Sequence, residues 1–326
     1  VTRVAAVDCG TNSIRLLIAD IETGAETGSD RGGQDAAPRL RDVVREMRVV
    51  RLGQGVDATG ELAPEALERT FAAAADYAEL IRRHGAEKVR FVATSATRDA
   101  KNRQVFVDGI RELLGVEPEV ITGDEEAALS FAGASSVLPS RGQEPVLVVD
   151  LGGGSTEFVL GNADGVLAAR SVDVGCVRMT ERHLRHDPPT PEQIAAAEAD
   201  VDAAIDEAAL SVPLKHATAV VGVAGSVTTI TAHALRLPRY SPEAIHGTEL
   251  SLEAIRRACT ELLEMSRAER AALPYMHPGR VDVIGAGALV WRRVLDRLAE
   301  VTDGRISTAV ASEHDILDGI ALSIAK

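Results

Sequence analysis

Residues 4–17 read VAAVDCGTNSIRLL, and residues 146–159 read VLVVDLGGGSTEFV. Each is an apolar run, then Asp-x-Gly-x-x-Ser, then a second apolar run. Asp8, Gly10 and Ser13 stand at the same offsets as Asp150, Gly152 and Ser155, 142 residues later. The seventh residue after each Asp is charged, Arg15 in one copy and Glu157 in the other. Apolar runs broken by a glycine turn predict a strand–turn–strand unit. Such a turn leaves backbone N–H groups free and lets a ligand approach the main chain. Phosphate oxygens suit those donors, and a carboxylate at the edge of the turn suits a divalent cation. Two copies predict two such turns facing each other across a cleft.

The flanking sequence repeats as well. The first half predicts strands at 4–7, 14–19 and about 43–52. A polar, Gly-rich stretch at 22–40 lacks periodicity and is expected to be a mobile excursion. A helix over 64–84 follows, with Pro64 in its first turn. Then come a strand at 89–94, a helix near 102–114 stopped by Gly115, and a strand at 117–122. The second half predicts strands at 146–151, 156–161 and 166–174. Thr190 and Gln193 form a capping box that opens a helix to about 209. A strand at 217–223 leads through Gly225 into a helix. Further helices are expected near 251–265, 266–272 and 280–300, with Ser266 and Glu269 as another capping box. A strand at 305–310 precedes a last helix capped by Ser312. Two halves of like order imply an internal duplication. The fold class is α/β, with helices on both faces of mixed sheets. The boundary is expected near Gly123.

Composition narrows the partners. The chain has 326 residues, 45% hydrophobic and 26% charged, enough for two full cores. No run of eighteen apolar residues occurs, so no membrane partner is expected. The net charge of −14 gives no basic face for nucleic acid. A phosphate ligand is repelled at long range by that charge. It needs a local cluster of arginines and a metal ion. Cys9, Cys176 and Cys259 are odd in number and lack CxxC spacing, which fits a reducing compartment. Asp8 interrupts the apolar start where a signal peptide would continue, so a cytoplasmic location is expected.

Several segments could carry chemistry. Three consecutive glycines weaken a strand by roughly 0.5–1 kcal/mol each relative to Ala, so something must offset them. DLGGGSTE at 150–157 is either a tight hairpin turn or a phosphate cradle. The cradle would use the N–H groups of Gly152, Gly153, Gly154, Ser155 and Thr156, with the Ser155 and Thr156 hydroxyls. Its counterpart is the turn of Gly10, Thr11, Asn12 and Ser13. Asp8 and Asp150 either brace their own turns or hold Mg²⁺ between them. In TSATRDAKN at 94–102, Arg98 follows a strand and either meets a ligand or pairs with Asp99 or Glu125. In TGDEEAALS at 122–130, Asp124 looks like an N-cap. Glu125 and Glu126 suit the helix dipole there, unless one of them aims at a water beside phosphate. GCVRMTE at 175–181 and YMHPGR at 275–280 place Arg178, His277 and Arg280 in loops as lesser candidates.

Taken together, these segments resemble the exopolyphosphatase/guanosine pentaphosphate phosphohydrolase family of the actin-like and sugar-kinase superfamily. The matching stretches are DCGTNSIR at 8–15, ATSATRDAKN at 93–102, GDEEA at 123–127, DLGGGSTE, GCVRMTE and RVDVIGAGAL at 280–289. They span nearly the whole chain in family order, and DCGTNSIR with the tail at 312–320 looks like the short actinobacterial-type members. The resemblance implies two actin-like (ribonuclease H-like) lobes, each a mixed five-stranded sheet flanked by helices, with a central cleft. Residues 1–123 with the terminal helix at 313–326 would form one lobe, and 124–312 the other. It assigns metal-binding carboxylates to Asp8 and Asp150, and catalytic roles to Glu126 and Glu157. It assigns phosphate contacts to Arg98, with Arg15 beside the first turn. The tail SEHDILDGI at 312–320 departs from the Leu-Arg-Glu-Gly of many members. The chain also ends without the helical domains of longer relatives, so short polyphosphates or nucleotides are expected over long chains.

The resulting expectation is an exopolyphosphatase that uses Mg²⁺, with Mn²⁺ as the alternative and a monovalent cation left open. A guanosine pentaphosphate phosphohydrolase shares the same centre. A kinase would need an adenosine pocket near VVGVAGSVTTI at 220–230. A non-catalytic alarmone sensor would bind without turnover. A homodimer is left open.

Overall fold

The computed structural model describes residues 2–22, 38–138 and 142–324. The repeated phrase folds as two antiparallel hairpins. β1 (Thr2–Cys9) pairs with β2 (Ser13–Glu22), and β2 pairs with β3 (Arg39–Val49). β4 (Lys88–Ala93) lies parallel to β1, and β5 (Glu119–Val120) parallel to β4. In the second half β6 (Val146–Leu151), β7 (Thr156–Asn162) and β8 (Gly165–Val172) repeat the meander. β9 (Ala219–Val223) lies parallel to β6, and β11 (Thr308–Ser312) parallel to β9.

The first sheet has the order β3-β2-β1-β4-β5. Read from β8, the second runs β8-β7-β6-β9-β11, the same order, and adds β10 (Glu249–Ser251) antiparallel on the outer edge. Equal strand order in both halves is the architectural form of the duplication.

The helices of the first half are α1 (Val56–Thr59), α2 (Pro64–His84), α3 (Ser95–Asp99) and α4 (Arg103–Leu114). Then α5 (Gly123–Gly133) leads toward the second sheet. It is followed by α6 (Cys176–Arg182), α7 (Pro191–Ser211), α8 (Gly225–Ala234), α9 (Pro242–Ile245), α10 (Leu252–Glu264), α11 (Arg267–Ala271), α12 (Ile284–Val301) and α13 (Ile316–Ile324). Among the described residues no helix is long and apolar enough to cross a membrane.

Both faces of each sheet are covered, which is why β1 and β6 are almost wholly apolar rather than alternating. One face of the first sheet packs Val7, Ile14 and Leu16 against Ala74 and Tyr77 of α2 and Phe106 of α4. Its other face packs Val4, Ala6, Leu17 and Val92 against Ile316, Leu317 and Ile320 of α13. In the second sheet, Val148, Val159 and Val221 pack on Ala127 and Phe131 of α5. Leu147, Phe158 and Val220 pack on the opposite side with α7 and α12.

The local differences from the sequence reading have physical causes. Of the excursion expected at 22–40, residues 23–37 lie outside the described residues. Glu22 and Arg39–Leu40 belong to strands, so β3 starts earlier than 43. Its partner β2 is long enough to pair that far, with a register shift at Ile18/Ala19. The cap of α5 is Thr122, not Asp124. The Thr122 hydroxyl accepts from the Glu125 N–H, while the Glu125 carboxylate accepts from the Thr122 N–H. The last helix begins at Ile316, and Asp315 accepts from the Leu317 N–H. Ser312 instead bonds the backbone of His314 in a preceding turn. The capping boxes at Thr190/Gln193 and Ser266/Glu269 both form.

The helices α5 and α13 cross at two glycines. A Cβ on Gly133 would lie 1.7 Å from the Asp315 carbonyl oxygen, and one on Gly319 would lie 1.9 Å from that of Leu129. Backbone atoms cannot swing aside, so the two helices would have to part. Gly133→Ala is expected to destabilise the protein by about 1–3 kcal/mol, the usual cost of overpacking. Thermal unfolding followed by circular dichroism checks this. A melting temperature equal to the wild type would show that the crossing is not tight.

Candidate active site

The two glycine turns close with the same hydrogen bond. Gly10 N–H donates to the Ser13 carbonyl at 3.0 Å, and Gly152 N–H donates to the Ser155 carbonyl at 3.0 Å. The turns meet face to face. A Cβ on Gly153 would lie 2.9 Å from Thr11 Cβ, and one on Gly154 would lie 2.8 Å from Thr11 Oγ1 and 2.7 Å from Ser95 Oγ. Gly175 packs the back of the second turn, where a Cβ would sit 2.5 Å from the Gly153 carbonyl carbon. None of Gly152, Gly153 and Gly154 has positive φ. The run of glycines is therefore needed for close approach rather than for left-handed backbone. The N–H groups of Thr11, Asn12, Gly153 and Gly154 meet no acceptor among the described residues. The buried Asn12 amide nitrogen also has no partner. Such a group costs about 1–3 kcal/mol unless something accepts from it.

A cavity of about 80 Å³ lies between the turns. It gathers Asp8, Gly10, Thr11, Asn12, Ser13, Arg15, Glu126, Asp150, Gly152, Gly153 and Ser155. Four of the expected site residues do not line it. Gly154 packs against the side chains of Thr11 and Ser95. Thr156 donates its hydroxyl to the Val174 carbonyl at 2.7 Å and is buried there. Glu157 stands behind the cavity wall, 1% exposed. Arg98 faces a second cavity of about 380 Å³. Its guanidinium donates to Glu126 Oε2 at 3.1 Å and to the Ile121 carbonyl at 2.9 Å. The expected partners Asp99 and Glu125 are taken elsewhere, Asp99 by Arg178 at 2.7 Å and Glu125 by the α5 cap.

Strand register sets the charged groups. Asp150 pairs with Glu157 across β6 and β7, and Glu157 pairs with Ser171 across β7 and β8. This rung faces α5, whose Ser130 hydroxyl bonds Asp150. In the first sheet Asp8 pairs with Arg15. The Arg15 guanidinium donates to Asp8 Oδ2 at 2.6 Å and to Asp315 Oδ2 at 2.5 Å. The repeat thus places an arginine in one rung where the other has a glutamate.

Burial pushes Asp8 above the usual carboxylate range, against the pull of Arg15. Burial also acts on Asp315, but Arg15 and the Leu317 N–H outweigh it and hold that carboxylate low. The shared guanidinium therefore favours ionised Asp315 over ionised Asp8. Burial, then the neighbouring Glu157, pushes Glu126 well up, with Arg98 opposing. Asp150 is driven up by burial and Glu157. Glu157 is pushed up to about 7 by burial, with Ser171 and Ser155 opposing. Buried carboxylates crowd this site beyond what Arg15 and Arg98 neutralise. A hard cation would relieve that excess, and Asp8 and Asp150 are the carboxylates that line the shared cavity on opposite turns. Among the described residues no three His, Cys, Asp or Glu side chains form a closed metal cage. Two carboxylates completed by water and phosphate oxygens are the habit of Mg²⁺.

Other residues at the site carried weak sequence signals. Arg280, a lesser candidate at the outset, lines the small cavity and a larger one of about 510 Å³ beside it. A Cβ on Gly225 would lie 1.8 Å from Arg280 Nη2, so only glycine lets the guanidinium lie there. Ala224 just before it holds φ 75, a strained value for a residue with a side chain. Thr94, Ser95, Cys176 and Ser226 also line the small cavity. They lie in the segments quoted at 94–102, 175–181 and 220–230, but the sequence reading fell on their charged neighbours or on another role for the segment. Arg178 bonds the Gly154 carbonyl at 2.7 Å and the carboxylates of Asp57 and Asp99, so it braces the turn.

Comparison with known proteins shows the family. A model of the Ppx/GppA phosphatase family matches residues 31–324. "Exopolyphosphatase 2" of Mycobacterium tuberculosis is 51% identical over 99% of this chain and 99% of its own. The crystal structure of an exopolyphosphatase-like protein superposes with a TM-score of 0.90 at 49% identity, covering 99% of this chain and 98% of that one. The Ppx/GppA enzyme of Aquifex aeolicus superposes with a TM-score of 0.77 at 29% identity, over 99% of both chains. With its two repeated hairpins, facing turns and near-complete alignment, the chain belongs to the Ppx/GppA phosphatase family.

Proposed function

We propose that the protein is an exopolyphosphatase, which hydrolyses the terminal phosphoanhydride of inorganic polyphosphate and releases orthophosphate. The observation that carries this reading is the pair of facing turns, whose unused N–H groups and orphaned Asn12 amide border one small carboxylate-lined cavity. The relative named Exopolyphosphatase 2, aligned over its whole length, supports the same chemistry. The reading treats 1–123 with 313–326 as one lobe, 124–312 as the other, and the protein as cytoplasmic.

The cation at Asp8 and Asp150 is Mg²⁺ in this reading, and when bound it neutralises charge on the phosphoryl oxygens. The N–H groups of Thr11, Asn12 and Gly153 and the hydroxyls of Ser13 and Ser155 hold the terminal phosphate. These donors are already oriented, so little reorganisation is needed as charge moves in the transition state. Arg280, at the junction with the larger cavity, meets the next phosphate. Glu126 takes the proton from the attacking water as its oxygen bonds to phosphorus, and the rest of the chain leaves. Arg98 keeps the Glu126 carboxylate turned toward the cavity. Phosphoryl transfer asks mainly for positioning and charge stabilisation, so no covalent intermediate is invoked.

A second reading draws on the larger cavity. Met47, Pro242, Pro274, Tyr275 and Met276 contribute to its walls, along with Tyr240. Of its arginines, Arg15 and Arg45 are already paired with Asp315 and Asp318, and Arg280 lies where it joins the small cavity. A base fits such walls better than a bare phosphate chain does, which favours guanosine pentaphosphate as an alternative substrate. The test is phosphate release with Mg²⁺ from short polyphosphate, long polyphosphate, guanosine pentaphosphate and ATP. Release from polyphosphate is expected, fastest from short chains. Faster release from guanosine pentaphosphate would install the second reading, and ATP consumed only with an added acceptor would point to a kinase.

Glu126→Ala is expected to lower kcat by about 10²–10⁴-fold, the usual contribution of a general base, with substrate affinity largely kept. Steady-state kinetics and equilibrium binding check both halves. Unchanged turnover would return Glu126 to its helix-dipole role. The raised carboxylates also set a pH dependence. The base must be ionised, so kcat rises with pH through its pKa and is lost on acidification. Burial, then Glu157, raises the Glu126 carboxyl, while a bound cation would pull neighbouring carboxylates down. The acid limb of kcat is expected above the ordinary carboxylate range. A profile flat down to the ordinary range would mean that no buried carboxylate serves as base.

A further inference from the structure

Glu157 is the least exposed charged group near the cavity, and its two oxygens are unequal. Oε1 accepts from the Ser171 hydroxyl at 2.7 Å. Oε2 is buried and has no hydrogen-bond partner. A buried, unpaired carboxylate oxygen is costly and calls for a reason. Ser171 stands directly opposite Glu157 in the β7–β8 register, so the bond follows from strand pairing.

The other side of Ser171 touches α5. A Cβ on Gly123 would lie 2.5 Å from Ser171 Cβ and 3.1 Å from its Oγ. Gly123 is the first residue of α5, one turn before Glu126. One side chain thus bears on both glutamates, on Glu157 through a hydrogen bond and on Glu126 through the seat of its helix. The cavity of about 380 Å³ behind the glutamates is lined by Ser171 and Arg98, the two residues whose side chains hold Glu157 and Glu126.

We propose that Ser171 is a positioning residue for phosphoanhydride hydrolysis at this site: its hydroxyl ties down one oxygen of Glu157 and so fixes that carboxylate behind the cavity wall, beside Glu126. This rests on the phosphohydrolase reading above. With the hydroxyl gone, the Glu157 carboxyl turns freely about its last bond and shares its lone pairs with water from the rear cavity. Glu157 then loses its orientation, while the phosphate-binding turns, which Ser171 does not touch, keep theirs. The cost falls on kcat and not on KM.

The test compares Ser171→Ala, Ser171→Thr and Ser171→Val in phosphate release. Thr and Val have nearly the same shape and differ by the hydroxyl, so any crowding against Gly123 is common to both. Ser171→Ala and Ser171→Val are expected to lose roughly tenfold to a hundredfold in kcat, the range for a small misplacement of a reacting group. Ser171→Thr is expected to exceed Ser171→Val by at least about tenfold, with KM within about twofold of the wild type throughout. Equal losses in Thr and Val, a wild-type kcat in Ala, or a loss carried by KM would each overturn the proposal. A wild-type protein that releases no phosphate from any substrate would instead overturn the phosphohydrolase reading itself.

Discussion

Thr11 lies against a stretch of backbone that carries no side chains. That contact, between the first turn and Gly153 and Gly154 of the second, brings the halves of the molecule to one point. Any β-carbon there would hold the turns apart and open the small cavity between them. The same closeness leaves no room for other protein acceptors, so several N–H groups remain available to an anion. Arg178 bonds the Gly154 carbonyl from behind, and Gly175 packs against Gly153, so the turn is gripped from both sides.

Duplication explains the shape of the site, and divergence explains its chemistry. Both copies place a carboxylate at the end of a central strand, Asp8 and Asp150. The cross-strand neighbour is Arg15 in one copy and Glu157 in the other. In the first copy the arginine neutralises Asp8 and Asp315 and fixes α13 to the sheet. In the second, no cation stands beside Asp150 in the rung, and carboxylates accumulate. Their raised pKa values follow from burial with too little positive charge. An excess of buried carboxylates of this kind is what a hard cation would relieve. The net charge of −14 makes that local arrangement necessary, because the surface at large repels a polyanion.

Most of the secondary structure was legible because both hairpins announce themselves by an apolar run, a turn and a second apolar run. Strand order in each half followed from the repeat. The short helices α1, α3 and α6 were not legible. Each is too brief to show a period, and each exists because the chain must turn around the site. β10 escaped for a related reason, since a three-residue edge strand has no pattern beyond what its partner imposes. The cap of α5 was misplaced by two residues because Asp and Thr are both good caps, and only the reach of the Thr122 hydroxyl to the Glu125 N–H decides between them.

The sequence by itself determined the two hairpins, their duplication, the acidic residues at their turns and the resemblance that named the family. Those are local or repeating features, and local patterns survive in one dimension. Only the tertiary structure decided which charges meet. Arg98 binds Glu126, Arg15 is divided between Asp8 and Asp315, and Ser171 faces Glu157. It also showed that the glycine run serves a close contact with Thr11. Such pairings depend on strand register and on how closely two backbones approach, and neither distance is written in the order of residues along one strand.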